Sequence, residues 1–326
     1  VPAAFDHLRR LAAPAEGSPR RTRALRLLGV AVVGVFAAFA LARVDLRQVA
    51  GSLAASRPGP LLLGMGATAL SLWLHAARWA ALVRPPGGRV RARDAFAPMV
   101  VGQAIGIAVP ARAGDLVRSH LLARRTGLST ASVVAAVFLD YVVGTVTLVP
   151  LLAALALATP LPPWARQALL AFAVMAVVGF AMVRALRPPR DHDASGAGLA
   201  GLLARLRGGL SAAHEPQALL AAVGWGVAGW GAELLIALFA LAALGLTTTF
   251  AVAGLLVVAT TAANLIALSP GNAGPFEAAT VLVLAGLGVP AAPALAFALL
   301  YHAVHLAPRA AIALVAVLRE AREARA

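Results

Sequence analysis

The sequence predicts an all-α, polytopic integral membrane protein of about six spans plus two re-entrant helical hairpins, arranged as an inverted-topology repeat. Three observations lead there. Of 326 residues, 61% are hydrophobic and 13% charged, with a mean hydropathy of +0.85, so there is too little polar surface to cover a soluble core. The arginines collect in short segments between apolar runs. Two polar, helix-breaking stretches, PARAGDLVR at 110–118 and SPGNAGPFE at 269–277, interrupt otherwise apolar sequence, and non-helical backbone at membrane depth is tolerated only where protein buries it or a wet cavity lies beside it.

Composition also excludes function classes. There is no cysteine, which removes thiol catalysis, disulfides and thiolate metal sites. All 28 basic residues are arginine, and the net charge is +15. That charge suggests nucleic acid at first sight, but arginines in short loops between apolar segments read as topology signals facing anionic lipid. Nucleic acid is therefore not an expected partner.

Taken in order, residues 1–26 form a basic tail with Pro14 and Pro19 and no sustained apolar period, read as disordered and cytoplasmic. Leu27 to Ala42 is a first apolar segment, slightly short of the roughly 20 residues that span a bilayer. Ala40-Leu41-Ala42 also fits a signal cleavage site, though the long leader favours an uncleaved helix. Val44 to Arg57 places Val44, Leu46, Val49 and Leu53 on one stripe, as in a helix lying on the outer membrane surface. Pro58 to Val83 is the second span, and Arg78 near its end reads as a snorkelling side chain. The segment 84–94 is arginine-rich and reads as cytoplasmic.

Ala95 to Val109 is too short to span and reads as re-entrant. If it crossed, Arg112, Arg118, Arg124 and Arg125 would face outward and every later loop would invert. Ser129 to Ala158 and Trp164 to Val183 are the next spans, joined by an uncharged turn. The loop 184–216 carries Arg184, Arg187, Arg190, Arg205 and Arg207, with a basic surface helix expected at Leu199 to Leu210. Gln217 to Leu246 is a span in which Gly224, Ala228 and Ala232 suggest a close-packing face. Ala251 to Leu268 leads into the second break, and the chain returns by Gly288. Ala294 to Leu318 is the last span, with 319–326 a cytoplasmic tail.

Ionisable residues inside this apolar chain are functional candidates by default. Asp140, Glu233 and Glu277, left uncompensated, would cost on the order of 8 kcal/mol together. Arg112, Arg118 and Arg309 are the expected partners. The bland readings are a helix-terminus role for Glu277, an i,i+3 pair for Asp115 with Arg118, an interhelical hydrogen bond for Asp140, and packing for His302 and His305, which share a face with Arg309; proton carriage and phosphate donation are the other two roles open to these histidines. Glu277, Asp115 and Asp140 are expected to line one cavity with Arg118 and Arg309. Neither the histidine spacing nor the scattered acids make a metal site, and no cofactor is expected.

Several residues together carry a family likeness: Arg78-Trp79 at the end of the second span, PARAGDLVR, Gly127-Leu128-Ser129 before a long span, SPGNAGPFE, and Leu287-Gly288-Val289-Pro290. They resemble the flippase-like transmembrane family of lysylphosphatidylglycerol synthase, over about residues 25–318. Pro110, Gly114, Asp115 and Arg118 correspond to its Pro-x-x-x-Gly-Glu-x-x-Arg pattern, with Asp for Glu, and Pro270, Gly271, Gly274 and Glu277 to its second motif. Two departures stand out. Asp140-Tyr141 and then Gly144 replace a Glu-Arg followed by Asp, and Tyr301-His302 replaces a Tyr-Arg.

The resemblance implies a flippase-like transmembrane domain at 27–318, multi-pass in the bacterial inner membrane, and the arginine distribution puts both termini on the cytoplasmic side. The implied activity is flipping of an anionic phospholipid or a polyprenyl-phosphate-linked lipid. A non-transporting membrane scaffold is the rival reading. An aminoacyl-phosphatidylglycerol synthase is the third, requiring a soluble domain for which the eight residues after Leu318 leave no room, so no enzyme activity and no catalytic residue is expected. Substrate-binding residues on this reading are Arg112, Asp115, Arg118, Asp140, Glu233, Asn272, Glu277, His302 and Arg309. The expected partners are the anionic lipid substrate and the surrounding membrane lipids, with a homodimer as the open assembly.

Overall fold

A backbone without water must satisfy its own polar groups, so unbroken apolar runs become long helices. The computed structural model describes residues 34, 45–85, 88–108, 113–158, 163–186, 198–266 and 269–323. The basic tail, nearly all of the first apolar segment, Pro110 and Arg112 lie outside the described residues. In chain order the helices are α1 (Leu46–Ala54), α2 (Pro58–Leu82), α3 (Ala92–Ala108), α4 (Ala113–Thr126), α5 (Thr130–Ala158), α6 (Pro163–Ala185), α7 (Gly198–Gly209), α8 (Pro216–Ala243), α9 (Phe250–Ile266), α10 (Pro275–Gly286) and α11 (Ala291–Glu323). Among the described residues there is no strand.

Four of these helices are long and apolar enough to cross a membrane, namely α2, α5, α8 and α11. With 25 to 33 residues, they reach about 37 to 50 Å, beyond the roughly 30 Å of a hydrocarbon core. They match four expected spans. The fifth expected span is α6, whose described apolar stretch, Leu169–Ala185, is shorter. Both expected hairpins are built from helices too short to cross: α3 and α4 have 17 and 14 residues, α9 and α10 have 17 and 12.

The chain forms two compact units. The first comprises Val1–Ala69, Val101–Gly114 and Ala232–Ala326. Here α9, α10 and α11 pack in sequence, and α1 docks on the start of α11. Asp45 caps α1 by accepting from the Arg47 N–H at 2.9 Å, and Val49 is buried with Ala292, Leu295 and Ala296. Of the amphipathic stripe read from the sequence, Val49 and Leu53 form a docking face, and Leu46 is exposed. Pro308 in α11 removes one helical donor and strands the carbonyl of Val304; the Thr68 hydroxyl donates to that oxygen at 3.0 Å. In the first hairpin's tip, Gly114 lies so close to the Gly102 carbonyl and the Gly106 N–H that any Cβ there would collide with backbone.

The second unit comprises Leu70–Val100 and Asp115–Gly231. One apolar core joins Trp79, Met99, Leu122 and Val137; a second joins Leu139, Val143, Val183 and Ala222. Pro98 frees the carbonyl of Asp94, and Arg125 donates to it at 3.2 Å. The helix expected at 199–210 is α7. It is docked by one face on α5: Ser132 Oγ donates to the Arg205 carbonyl at 3.0 Å, and a Cβ on Gly209 would strike the Ser132 carbonyl. One expectation is corrected. Gly224 and Ala228 are exposed while Ala232 is buried, and the glycine of α8 that packs closely is Gly226, against Thr147. Helix α8 carries small residues at helical spacing on two faces, and only the neighbouring side chains choose between them.

Candidate functional site: two buried polar clusters

Among the described residues, each unit holds a cluster of buried charged side chains. In the second unit the centre is Asp140 on α5, 2% exposed, whose Oδ1 accepts from Arg78 Nε at 2.7 Å. Arg78 sits on α2 and is itself buried. It does not snorkel, because a carboxylate of opposite charge lies within reach at the same depth. The guanidinium lies over Gly144, where a Cβ would come within 2.9 Å of one of its nitrogens. A side chain at position 144 would therefore compete with Arg78 for space.

Arg118 on α4 extends the cluster. Its guanidinium pairs with Asp115 Oδ1 through Nε at 3.0 Å and Nη2 at 2.9 Å, and stands 3.9 Å from Asp140 Oδ2. Its cation also lies 5.0 Å from the Trp79 ring centroid and 5.6 Å from that of Tyr141, both cation–π distances. The Tyr141 hydroxyl lies 3.0 and 2.9 Å from the two oxygens of Asp115. The i,i+3 pair expected between Asp115 and Arg118 is present. The cluster therefore runs Arg78, Asp140, Arg118, Asp115, Tyr141, from buried side chains to a tyrosine that is 41% exposed.

The cluster of the first unit is built around the second break. Gly271 and Asn272 both adopt positive φ, at 61° and 59°, and Gly274 follows at 91°; Gly and Asn are the residues that enter this region most readily. The turn reverses the chain between α9 and α10. It is buried, with Ser269 at 4% and Asn272 at 8% exposure, and most of its side-chain polar atoms find internal partners, Asn272 Oδ1 being left without one. Ser269 Oγ donates to the Ala273 carbonyl, and Asn272 Nδ2 donates to Asn264 Oδ1 at 2.8 Å. Pro275 occupies the first turn of α10, as its missing N–H allows. Glu277, at N3, reaches back so that Oε2 accepts from the Gly274 N–H at 2.7 Å. This is half of a capping box, since a glycine N-cap has no side chain to return the bond.

The other oxygen of Glu277 meets His302 Nδ1, while Nε2 of the same ring faces the Gly271 carbonyl at 3.0 Å. One turn along α11, His305 Nε2 lies 3.0 Å from Glu233 Oε2, and its Nδ1 lies 2.9 Å from the Tyr301 carbonyl. Arg309 stands 3.8 Å from Glu233 Oε1. Phe276 stacks on His302 with ring centroids 4.4 Å apart and meets His305 edge-on at 5.7 Å. The two histidines pack against aromatic rings, as expected, and each also pairs with a carboxylate.

The structure thus gathers Asp115, Arg118 and Asp140 in one unit, and Glu233, Asn272, Glu277, His302 and Arg309 in the other. Sequence reasoning did not place Arg78, Tyr141 or His305 among the site residues. For Arg78 the signal was available, since a buried acid requires a partner and three arginines were weighed for that part without it.

No curated protein matches the chain. A family described as the lysylphosphatidylglycerol synthase TM region matches residues 26–313. With two short-helix hairpins, four long apolar helices and an acid at each break, a match over nearly the whole length leaves one assignment: the chain belongs to the family of the lysylphosphatidylglycerol synthase TM region.

Proposed function

We propose that this protein moves an anionic phospholipid, or a polyprenyl-phosphate-linked lipid, between the leaflets of the bacterial inner membrane. The family ties the chain to membrane lipids. The observation that carries the finer reading is Arg118, 4% exposed and held between Asp115 and Asp140. A guanidinium clamped by carboxylates is matched in geometry to a phosphate, which offers the same paired acceptors. Asp115 and Tyr141 form the wetter end of the cluster. A lipid phosphate displacing Asp115 would therefore exchange one anion for another without leaving a bare buried charge. Nothing in this role requires bond making or breaking, so the proposal is a translocase and not an enzyme.

Leaflet exchange of a fluorescent phosphatidylglycerol in proteoliposomes tests it. Arg118→Gln, inserted and folded, is expected to stop exchange, and unchanged exchange would count against the reading. The proposed topology has residues 111–128 on the cytoplasmic side with both termini. Labelling of a Thr126→Cys variant by an impermeant reagent from outside intact cells would refute that topology.

One observation favours a second reading, a non-transporting scaffold. Arg78 and Asp140 already compensate each other at 7% and 3% side-chain exposure, as a purely structural interhelical pair does. That reading expects Asp115→Asn and Arg118→Gln to leave lipid distribution untouched.

A further inference from the structure

A neutral imidazole carries one N–H and one lone pair, so it donates through one nitrogen and accepts through the other. His214 fits that form, with Nε2 against the Arg184 carbonyl at 2.9 Å and a buried Nδ1 that has no partner. His302 and His305 do not fit it. His302 has a carboxylate oxygen at Nδ1 and a backbone carbonyl at Nε2. His305 has a backbone carbonyl at Nδ1 and a carboxylate oxygen at Nε2. All four facing atoms are acceptors, and each contact calls for a hydrogen between the two heavy atoms. Each Glu–His pair must then hold one proton more than a carboxylate beside a neutral ring. The Gly274 N–H donating to Glu277, and Arg309 near Glu233, favour leaving both carboxylates ionised and both rings doubly protonated.

We propose that the Glu277–His302 and Glu233–His305 pairs form a two-proton binding site through which a transmembrane proton gradient drives lipid movement. The coupling half of this inference rests on the translocase reading; the proton site itself does not. The ionisable groups packed together here are Glu233 from α8, Glu277 from α10, and Tyr301, His302, His305 and Arg309 from α11. Asn264 on α9 and Asn272 in the break, which bond to each other, are uncharged. With both protons bound, the two glutamates, two histidines and Arg309 carry one net positive charge. With both protons gone they carry one net negative charge. Loading thus favours an anionic headgroup and unloading repels it, which is the sign that coupled transport of an anion requires. Phe276, 4% exposed and in contact with both rings, separates the two pairs. Glu233 and Arg309, with 13% and 26% side-chain exposure, are more exposed than Glu277 and His302 at 8% each, which makes their side the point of proton entry.

The proton site is tested on the unaltered protein by ¹⁵N NMR of its seven histidines in phosphatidylglycerol nanodiscs, at about pH 8, where exposed imidazoles are neutral. Two rings protonated on both nitrogens are the expected result. Seven neutral rings would overturn the site. Coupling is tested in proteoliposomes containing fluorescent phosphatidylglycerol, across a pH gradient of about one unit, which at two protons per lipid drives up to about a hundredfold leaflet asymmetry. His305→Gln, or Glu233→Gln if that variant does not fold, is expected to abolish the asymmetry. Exchange that proceeds but stays symmetric in the gradient would sink the coupling while leaving translocation standing. Absence of all exchange would sink translocation and coupling together, and the histidine spectra would then decide the proton site alone.

Discussion

The two polar clusters meet the same requirement, charge inside an apolar helical protein, with different chemistry. In the second unit Arg78 and Arg118 face Asp140 and Asp115, and an arginine stays charged whatever the pH. In the first unit two histidines face two glutamates, and the balance there depends on protons that can leave. The first arrangement is suited to holding helices together and presenting a permanent cation to a phosphate. The second is suited to changing sign. The difference teaches that a count of buried charges says little until each is assigned a partner, because the partner decides whether the charge is fixed or exchangeable.

The largest expected effect lies in the fixed cluster. Arg78→Gln leaves Asp140 with only Arg118 at 3.9 Å, and breaking a buried pair from one side costs about 3 to 5 kcal/mol. A marked fall in Tm in detergent is the expected outcome. Arg78→Met combined with Asp140→Leu is expected to recover most of it, since removing both charges leaves neither uncompensated. An Arg78→Gln protein with wild-type Tm would show that the pair does not support the fold.

A smaller effect is expected at Gly144, where alanine would press on the Arg78 guanidinium. The far end of that side chain can shift, so the cost is placed at about 1 kcal/mol, the low end for overpacking. Differential scanning measurements on the single variant and on Gly144→Ala with Arg78→Met sharpen the point. The penalty should shrink in the shorter background, and equal penalties would place the strain elsewhere.

The smallest change in stability is expected from Glu277→Gln. The amide keeps the volume and an oxygen for the Gly274 N–H, and its NH2 donates to Nδ1 of a His302 that is then neutral, so no buried charge is left unpaired and the loss is placed at about 1 kcal/mol. Its effect on lipid movement is expected to be complete, because a neutral side chain no longer calls for a proton on His302. Wild-type leaflet exchange in both Glu277→Gln and Asp115→Asn would place neither cluster in transport and would bring the scaffold reading forward.

Much of the architecture was legible because its causes are local. Pro and Gly at 270–275 end one helix and start the next, and Glu277 falls at N3 of the new one by position alone. Asp115 and Arg118 are three apart on a helix and meet, as the spacing requires. Partners distant in sequence were less legible. Arg78 and Asp140 are 62 residues apart, and Glu233 and His305 are 72 apart. No periodicity connects such pairs.

By itself, then, the sequence determined that the chain is helical, where its helices break, and which residues cannot sit unpaired in an apolar medium. Those properties follow from hydrocarbon burial, backbone hydrogen bonding and the dihedral limits of Pro and Gly. Only the tertiary structure decided that Arg78 answers Asp140, that Gly226 and not Gly224 faces a neighbour, and that His302 and His305 each stand between two acceptors. Partner choice at these positions depends on which helices come within a few ångströms of one another, a property of packing that no stretch of the chain carries alone.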